Sequence, residues 1–137
     1  MDVRLPAAIR PVLDNGIPAL MVTCSADGIP NTTVISQVYY VDDTHVALSF
    51  QFFNKTIRNV RENPRAHVTV NDMPGLSLWT LELEFDHSET TGPVFDAMDM
   101  VIEAIASSTG MSGIFKLRAA DIYKVLSVEK QSYRPNA

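Results

Sequence analysis

His45-Val46-Ala47-Leu48-Ser49-Phe50-Gln51-Phe52-Phe53-Asn54-Lys55-Thr56-Ile57-Arg58-Asn59-Val60-Arg61-Glu62-Asn63-Pro64-Arg65 reads as a strand running into a short helix, and the rest of the fold is built outward from it. His45 to Phe50 is apolar and β-prone. Asn54 can cap a helix over 54–62, which stops at Asn63 because a residue before proline disfavours the helical region. Lys55, Arg58, Arg61 and Arg65 are four of the chain's 11 cations, gathered into one segment of a protein with net charge −5. The N–H groups of Lys55, Thr56 and Ile57 have no intrahelical acceptors, so this helix start favours a phosphate or carboxylate.

The chain has 137 residues and is 46% hydrophobic, the size and composition of a single domain over residues 1–137, with a loose tail expected from about 130. The acidic balance argues against general nucleic-acid or anionic-membrane binding, which needs a broad basic surface. Cys24 is the one cysteine, so neither a disulfide framework nor a Cys-based zinc site can form. A reducing cytoplasm is the expected location, with neither export nor membrane insertion.

Before the central segment, residues 5 to 14 predict a short helix closed by Asn15-Gly16. Ile17 to Ser25 and Asn31 to Val41 predict a hairpin about Ala26-Asp27-Gly28, and Asp42-Asp43 turns the chain into His45 to Phe50. After it, Arg65 to Asn71 is a strand. Leu81, Leu83 and Phe85 alternate with Glu82 and Glu84 as in a half-buried antiparallel strand. From Pro93, apolar residues recur at helical spacing up to Ser107-Ser108-Thr109-Gly110. Ile114 to Leu117 and Ile122 to Val128 predict two strands joined by a kink at Ala119-Ala120-Asp121. The sum is a mainly β (α+β) protein: six or seven antiparallel strands in a closed or nearly closed barrel with two or three short helices, or else an open sheet with helices on one face.

The strand pair, the turn Asp42-Asp43, the strand from His45 to Phe50, then Asn54-Lys55-Thr56 and Arg61-Glu62-Asn63-Pro64-Arg65-Ala66 together resemble the pyridoxamine 5′-phosphate oxidase-like flavin-binding split barrels. The resemblance covers residues 15 to 128 in element order and is most specific over 45 to 70. It implies a split β-barrel homodimer holding flavin mononucleotide (FMN) at the subunit interface, and an FMN-dependent oxidoreductase acting on a small molecule, with a nicotinamide as possible reductant. By this resemblance Asn54, Lys55 and Thr56 hold the FMN phosphate. Val34, Ile35 and Ser36, with Ser49, Phe50 and Gln51, meet the ring and ribityl chain, and Arg58 reaches the phosphate or a partner subunit. Other members of such barrels bind haem or a deazaflavin, which leaves a sensor or storage module and a deazaflavin-dependent reductase as alternatives; His45 or His67 could then ligate iron.

Two departures bear on the reaction. Members that oxidise pyridoxamine phosphate carry an arginine and a lysine on the strand that here reads Thr32-Thr33-Val34-Ile35-Ser36-Gln37-Val38-Tyr39-Tyr40, and a tryptophan with a basic residue near the end, where Ser127 to Ala137 has no tryptophan. The namesake reaction is therefore not expected. No catalytic acid, base or nucleophile is assigned. Arg61 and Arg65 read as solvated or paired with Glu62. Trp79 reads as core or interface packing. His45, His67 and His87 lack short metal-ligand spacing, Glu82 and Glu84 form a wet strand face, and Cys24 is an inert packing residue. Phe95, Met98 and Met100 read as helix core.

Overall fold

The computed structural model describes residues 3–50, 54–108, 110 and 117–133. Helix α1 (Ile9–Asn15) is followed by strands β1 (Ala19–Cys24), β2 (Pro30–Ile35), β3 (Val38–Asp42) and β4 (His45–Phe50). Helix α2 (Asn54–Glu62), strands β5 (Arg65–Asp72) and β6 (Ser77–Glu89), helix α3 (Pro93–Ser108) and strand β7 (Ala119–Ser132) complete the order.

All seven strands form one antiparallel sheet in the order β2-β1-β5-β6-β7-β4-β3. β2 and β3 lie at opposite edges, yet β2 ends at Ile35 and β3 begins at Val38. Three Cα steps span at most roughly 11 Å, so the sheet must curl until its edges nearly meet. The result is a barrel split between β2 and β3. Two register shifts in the β6–β7 pairing, one that skips Leu126 of β7 and one that skips Asp86 of β6, supply part of the bend.

Alternation decides which residues fill the interior. Leu81 and Leu83 of β6 are fully buried and pack with Val68, Val70, Tyr123 and Val125, while Glu82 and Glu84 point outward. Ile9, Val12 and Leu13 of α1 join this core from one end. Gly16 ends α1 by donating its N–H to Val12 O, and a Cβ there would lie 2.3 Å from a Val70 methyl, so only glycine allows the approach. A second core lies on the outer face of β4 and β7, where Met98 and Ile102 of α3 cover Ala47, Ala120 and Ile122. Met98 is core as expected; Met100 is 75% exposed on the same helix. Among the described residues no helix is long and apolar enough to cross a membrane.

Four elements differ from the sequence reading. The expected helix over 5–14 begins only at Ile9, because Leu5 donates its N–H to Asp43 O and the Pro6 and Ala7 carbonyls accept from Ile9 and Arg10 in a tight turn. The expected strand from Asn31 to Val41 is two strands, broken at Ser36-Gln37, where the Gln37 amide turns away to donate to Leu13 O. β7 runs unbroken through Ala119-Ala120-Asp121, each residue paired with β4. Its pairing with β6 continues to Ser132, and Tyr133 N–H donates to Leu76 O, so the expected loose tail is strand to that point. Ile114 to Lys116, expected as strand, lie outside the described residues.

Candidate functional site

Helix α2 packs against β1 and β2 at the barrel end, and its two buried side chains, Thr56 and Asn59, are polar, while Ile57 and Val60 face the cavity beneath it. Asn59, buried, donates from Nδ2 to the buried Thr23 Oγ1 at 3.2 Å. One turn earlier, Thr56 Oγ1 lies 3.1 Å from Thr33 Oγ1 and accepts from Asn31 Nδ2 at 3.3 Å. Glu62 at the far end accepts the Ala26 N–H at 3.2 Å. These bonds tie α2 to the β1–β2 hairpin along its length. The Thr56 hydroxyl therefore holds the helix in place, and an anion at the helix start would meet backbone N–H groups.

The first turn of α2 has no acidic residue to satisfy those groups. Asn54 and Lys55 open the helix, although their side chains lie outside the described residues, as do the side chain of Phe50 and all of Gln51. Arg58 is exposed on the outer side of α2. Arg61, read from sequence as a surface cation, is exposed and also borders a cavity beneath the helix.

The three residues expected together on β2 do not share a face. Val34 is 56% exposed on the outside of the sheet, Ile35 is buried and borders the cavity, and Ser36 sits in the break before β3. Consecutive strand residues point to opposite faces, so one ligand cannot meet both Val34 and Ile35 through their side chains. Ser36 lines a crevice with Gln37, Tyr39 and the α3 residues Met98 and Ile102. Strand alternation turns Ser49 toward the α3 side of β4, together with Ala47 and opposite Leu48, and Ser49 also borders the cavity beneath α2. The Ser36 and Ser49 hydroxyls and Gln37 Oε1 are buried without a hydrogen-bond partner among the described residues. Buried polar atoms are nearly always paired, so three orphans near the break between β2 and β3 mark a place built to receive hydrogen bonds from elsewhere.

The cavity beneath α2 has a volume of about 150 Å³ and is walled by Met21, Leu48, Phe85 and Tyr123 together with Ile35, Ser49 and Thr56, three of the residues expected at the site. Asp121, opposite Leu48 on β7, reaches this interior, and Ser88 donates to its Oδ1 at 2.6 Å. Burial raises the Asp121 pKa against the lowering effect of the Ser88 bond. Burial, and then the Asp121 charge, push the Tyr123 phenol upward as well. A carboxyl with a raised folded-state pKa contributes stability below its unfolded value and loses it as the pH rises through the folded value. Asp121→Asn keeps an acceptor for Ser88 and removes the charge. It should raise the melting temperature at pH 7, with the gain shrinking as the pH falls toward the ordinary Asp value and gone below about pH 4; an unchanged or lowered melting temperature at pH 7 would contradict burial of an ionised carboxylate.

The histidines are engaged locally. His45 Nδ1 lies 3.0 Å from Asp42 Oδ1, which also accepts the Thr44 N–H at 2.9 Å and so organises the β3–β4 turn. His67 Nδ1 bonds Glu82 across the outer face of β5 and β6, and His87 bonds Asp86. Among the described residues no three His, Cys, Asp or Glu side chains gather as a metal site. Trp79 is buried in the main core, as expected, and Cys24 is half-buried. Sequence reading missed Asn31, Thr33, Asn59, Ser88 and Asp121, none of which has a signal without the strand order. A Thr-x-x-Asn spacing on α2 was the one available sign of a polar inner face.

The residues fit FMN in two respects: a helix start without its own acidic partner, and buried hydroxyls at Ser36 and Ser49 that have no partner among the described residues. The fold has solved relatives. HupZ of Group A Streptococcus matches with a TM-score of 0.70 at 18% identity, over 97% of this chain and 98% of that one. An FMN-binding protein from Syntrophomonas wolfei subsp. wolfei matches at 0.68 and 17%, over 93% and 91%. The haem storage protein HutZ of Vibrio cholerae matches at 0.58 and 15%, over 92% and 94%. At such identities the likeness establishes the split-barrel fold and leaves the ligand open. The sequence carries more, because the pyridoxamine 5′-phosphate oxidase family model matches residues 5–125, nearly the whole of the described barrel. This chain therefore belongs to the pyridoxamine 5′-phosphate oxidase family.

Proposed function

We propose that the protein binds FMN and catalyses oxidation or reduction of a small molecule other than pyridoxamine phosphate. The observation that carries this reading is the pairing of an acid-free helix start at Asn54–Thr56 with unpartnered buried hydroxyls at Ser36 and Ser49. In this reading Asn54, Lys55 and the first N–H groups of α2 hold the phosphate, with Arg58 adding charge from the exposed side. Ser36 and Ser49, with Phe50 and Gln51, bind along the ribityl chain and ring, while α3 excludes water from the β4 side. Bound flavin supplies the hydride and electron chemistry, so the chain itself needs to grip, orient and shield rather than provide a nucleophile. The absent strand cations turn the reading away from the namesake substrate.

A homodimer belongs to the same proposal. The outer face of β1 and β2 exposes Leu20 (44%), Val34 (56%) and the adjoining Ile29 (65%), an apolar strip that a second copy could cover. A nicotinamide is the proposed reductant and the cytoplasm the proposed location.

A haem reading has one observation in its favour: Glu82 holds His67 Nδ1, which leaves Nε2 as the nitrogen able to reach iron. The absorption spectrum of the purified protein separates the readings. Flavin bands support FMN, a Soret band that disappears in His67→Ala supports haem, and a deazaflavin shows its own distinct absorption.

A further inference from the structure

Gln37 is 8% exposed and stands in the break between β2 and β3. One bond orients its carboxamide: Nε2 donates to Leu13 O at 3.2 Å, and only the NH2 end can meet a carbonyl. Oε1 is left at the other end, buried and without a hydrogen-bond partner among the described residues. Leaving a buried acceptor in that state is costly, and such atoms are nearly always paired. The Ser36 and Ser49 hydroxyls share the condition, but the three groups are not equivalent. A hydroxyl donates and accepts, so either serine can serve a ribityl hydroxyl or a ring carbonyl. With its NH2 committed to Leu13, Gln37 only accepts, and whatever fills this place must present an N–H or O–H. The phosphate end of the flavin site is close by. Thr56, in the first turn of α2, bonds to Thr33, and Gln37 follows Thr33 by four residues, at most roughly 14 Å of chain. Gln37 and Ser36 also line the crevice against Met98 and Ile102 of α3, whose volume of about 10 Å³ admits only a water-sized group. An edge carrying a single N–H suits that space better than a ring face, and the unbranched Met98 is the side chain of the wall that repacks most readily as the edge enters.

We propose, given the flavin reading on which this rests, that Gln37 recognises the ring of the bound flavin, its Oε1 accepting the hydrogen bond of the ring's imide N3–H. This is the one N–H of the oxidised isoalloxazine, and it is flanked by carbonyls for which a serine hydroxyl is a suitable donor. Helix α1 takes part in recognition through Leu13 O, which holds the amide in its accepting orientation. Iron-loaded haem offers the reverse chemistry. Its ring nitrogens carry no hydrogen and its carboxylates only accept, so Gln37 selects flavin over haem.

The test titrates the full chain with FMN and with 3-methyl-FMN, in which a methyl group replaces the N3 hydrogen, and follows flavin fluorescence. Wild type should bind FMN at least tenfold more tightly than 3-methyl-FMN. Gln37→Ala, which removes the acceptor and makes room for the methyl, should weaken FMN at least fivefold and bring the two affinities together. Lys55→Ala should weaken both ligands by the same factor and keep their ratio, because the phosphate is common to them. Equal affinity of wild type for the two ligands would overturn the proposal, and that comparison needs no variant to fold. So would a ratio that survives Gln37→Ala. In both of these cases FMN still binds and the flavin reading stands; wild-type protein that binds neither ligand overturns the flavin reading and this one with it.

Discussion

Leu81→Ala is expected to destabilise the protein by about 2–5 kcal/mol, the range for a buried leucine truncated in a close-packed core. Leu81 is fully buried on β6, with Val68 opposite it on β5 and Val128 opposite it on β7. Both neighbours belong to continuous ladders, so the backbone cannot collapse into the space left behind. A loss of this size is a large share of the 5–15 kcal/mol available to a typical domain. Denaturant unfolding measures it directly. Glu82→Ala, one residue away and facing outward, should cost far less; equal losses at the two positions would mean that β6 does not have the assigned inside and outside.

Lys55→Ala carries the second large effect, on ligand affinity. Lys55 is the second residue of α2, in a first turn without acidic residues. A cation there opposes the helix dipole by about 0.3–1 kcal/mol, so its presence calls for an anion. If it makes a charge-assisted bond to the FMN phosphate, its loss should weaken FMN by about 1.5–3 kcal/mol, roughly 10- to 150-fold. The ligand-free variant should at the same time be slightly more stable than wild type, because the unfavourable dipole interaction is gone. Weaker binding with greater stability is a signature that general damage to the fold cannot produce. Unchanged FMN affinity would remove Lys55 from the site.

The elements that were legible in the sequence are those with a clean period. β6 announced itself by Leu81 and Leu83 against Glu82 and Glu84, and α3 by apolar residues at helical spacing between Pro93 and Ser108. The break at Ser36-Gln37 was not legible, because Asn31 to Val41 is β-prone throughout. Its one trace is that Ile35 and Val38, three residues apart, both enter the main core, which a continuous strand cannot achieve. The start of the site was visible as a capped basic helix. Its supports were not, since the bonds from Thr56 to Thr33 and from Asn59 to Thr23 join residues far apart in sequence and exist only once β1, β2 and α2 are packed. Asp121 was hidden for the same reason. Beside Ala119-Ala120 it looks like turn chemistry, and only the pairing of β7 with β4 and β6 turns it inward against Ser88.

The most direct measurement of the central claim is titration of the purified protein with FMN, read by the absorption and fluorescence of the flavin. The account predicts saturable binding at one FMN per chain, weakened at least tenfold in Lys55→Ala and weakened also when Ser49 is replaced by valine. A colourless protein on which added FMN shows no saturable change would contradict it.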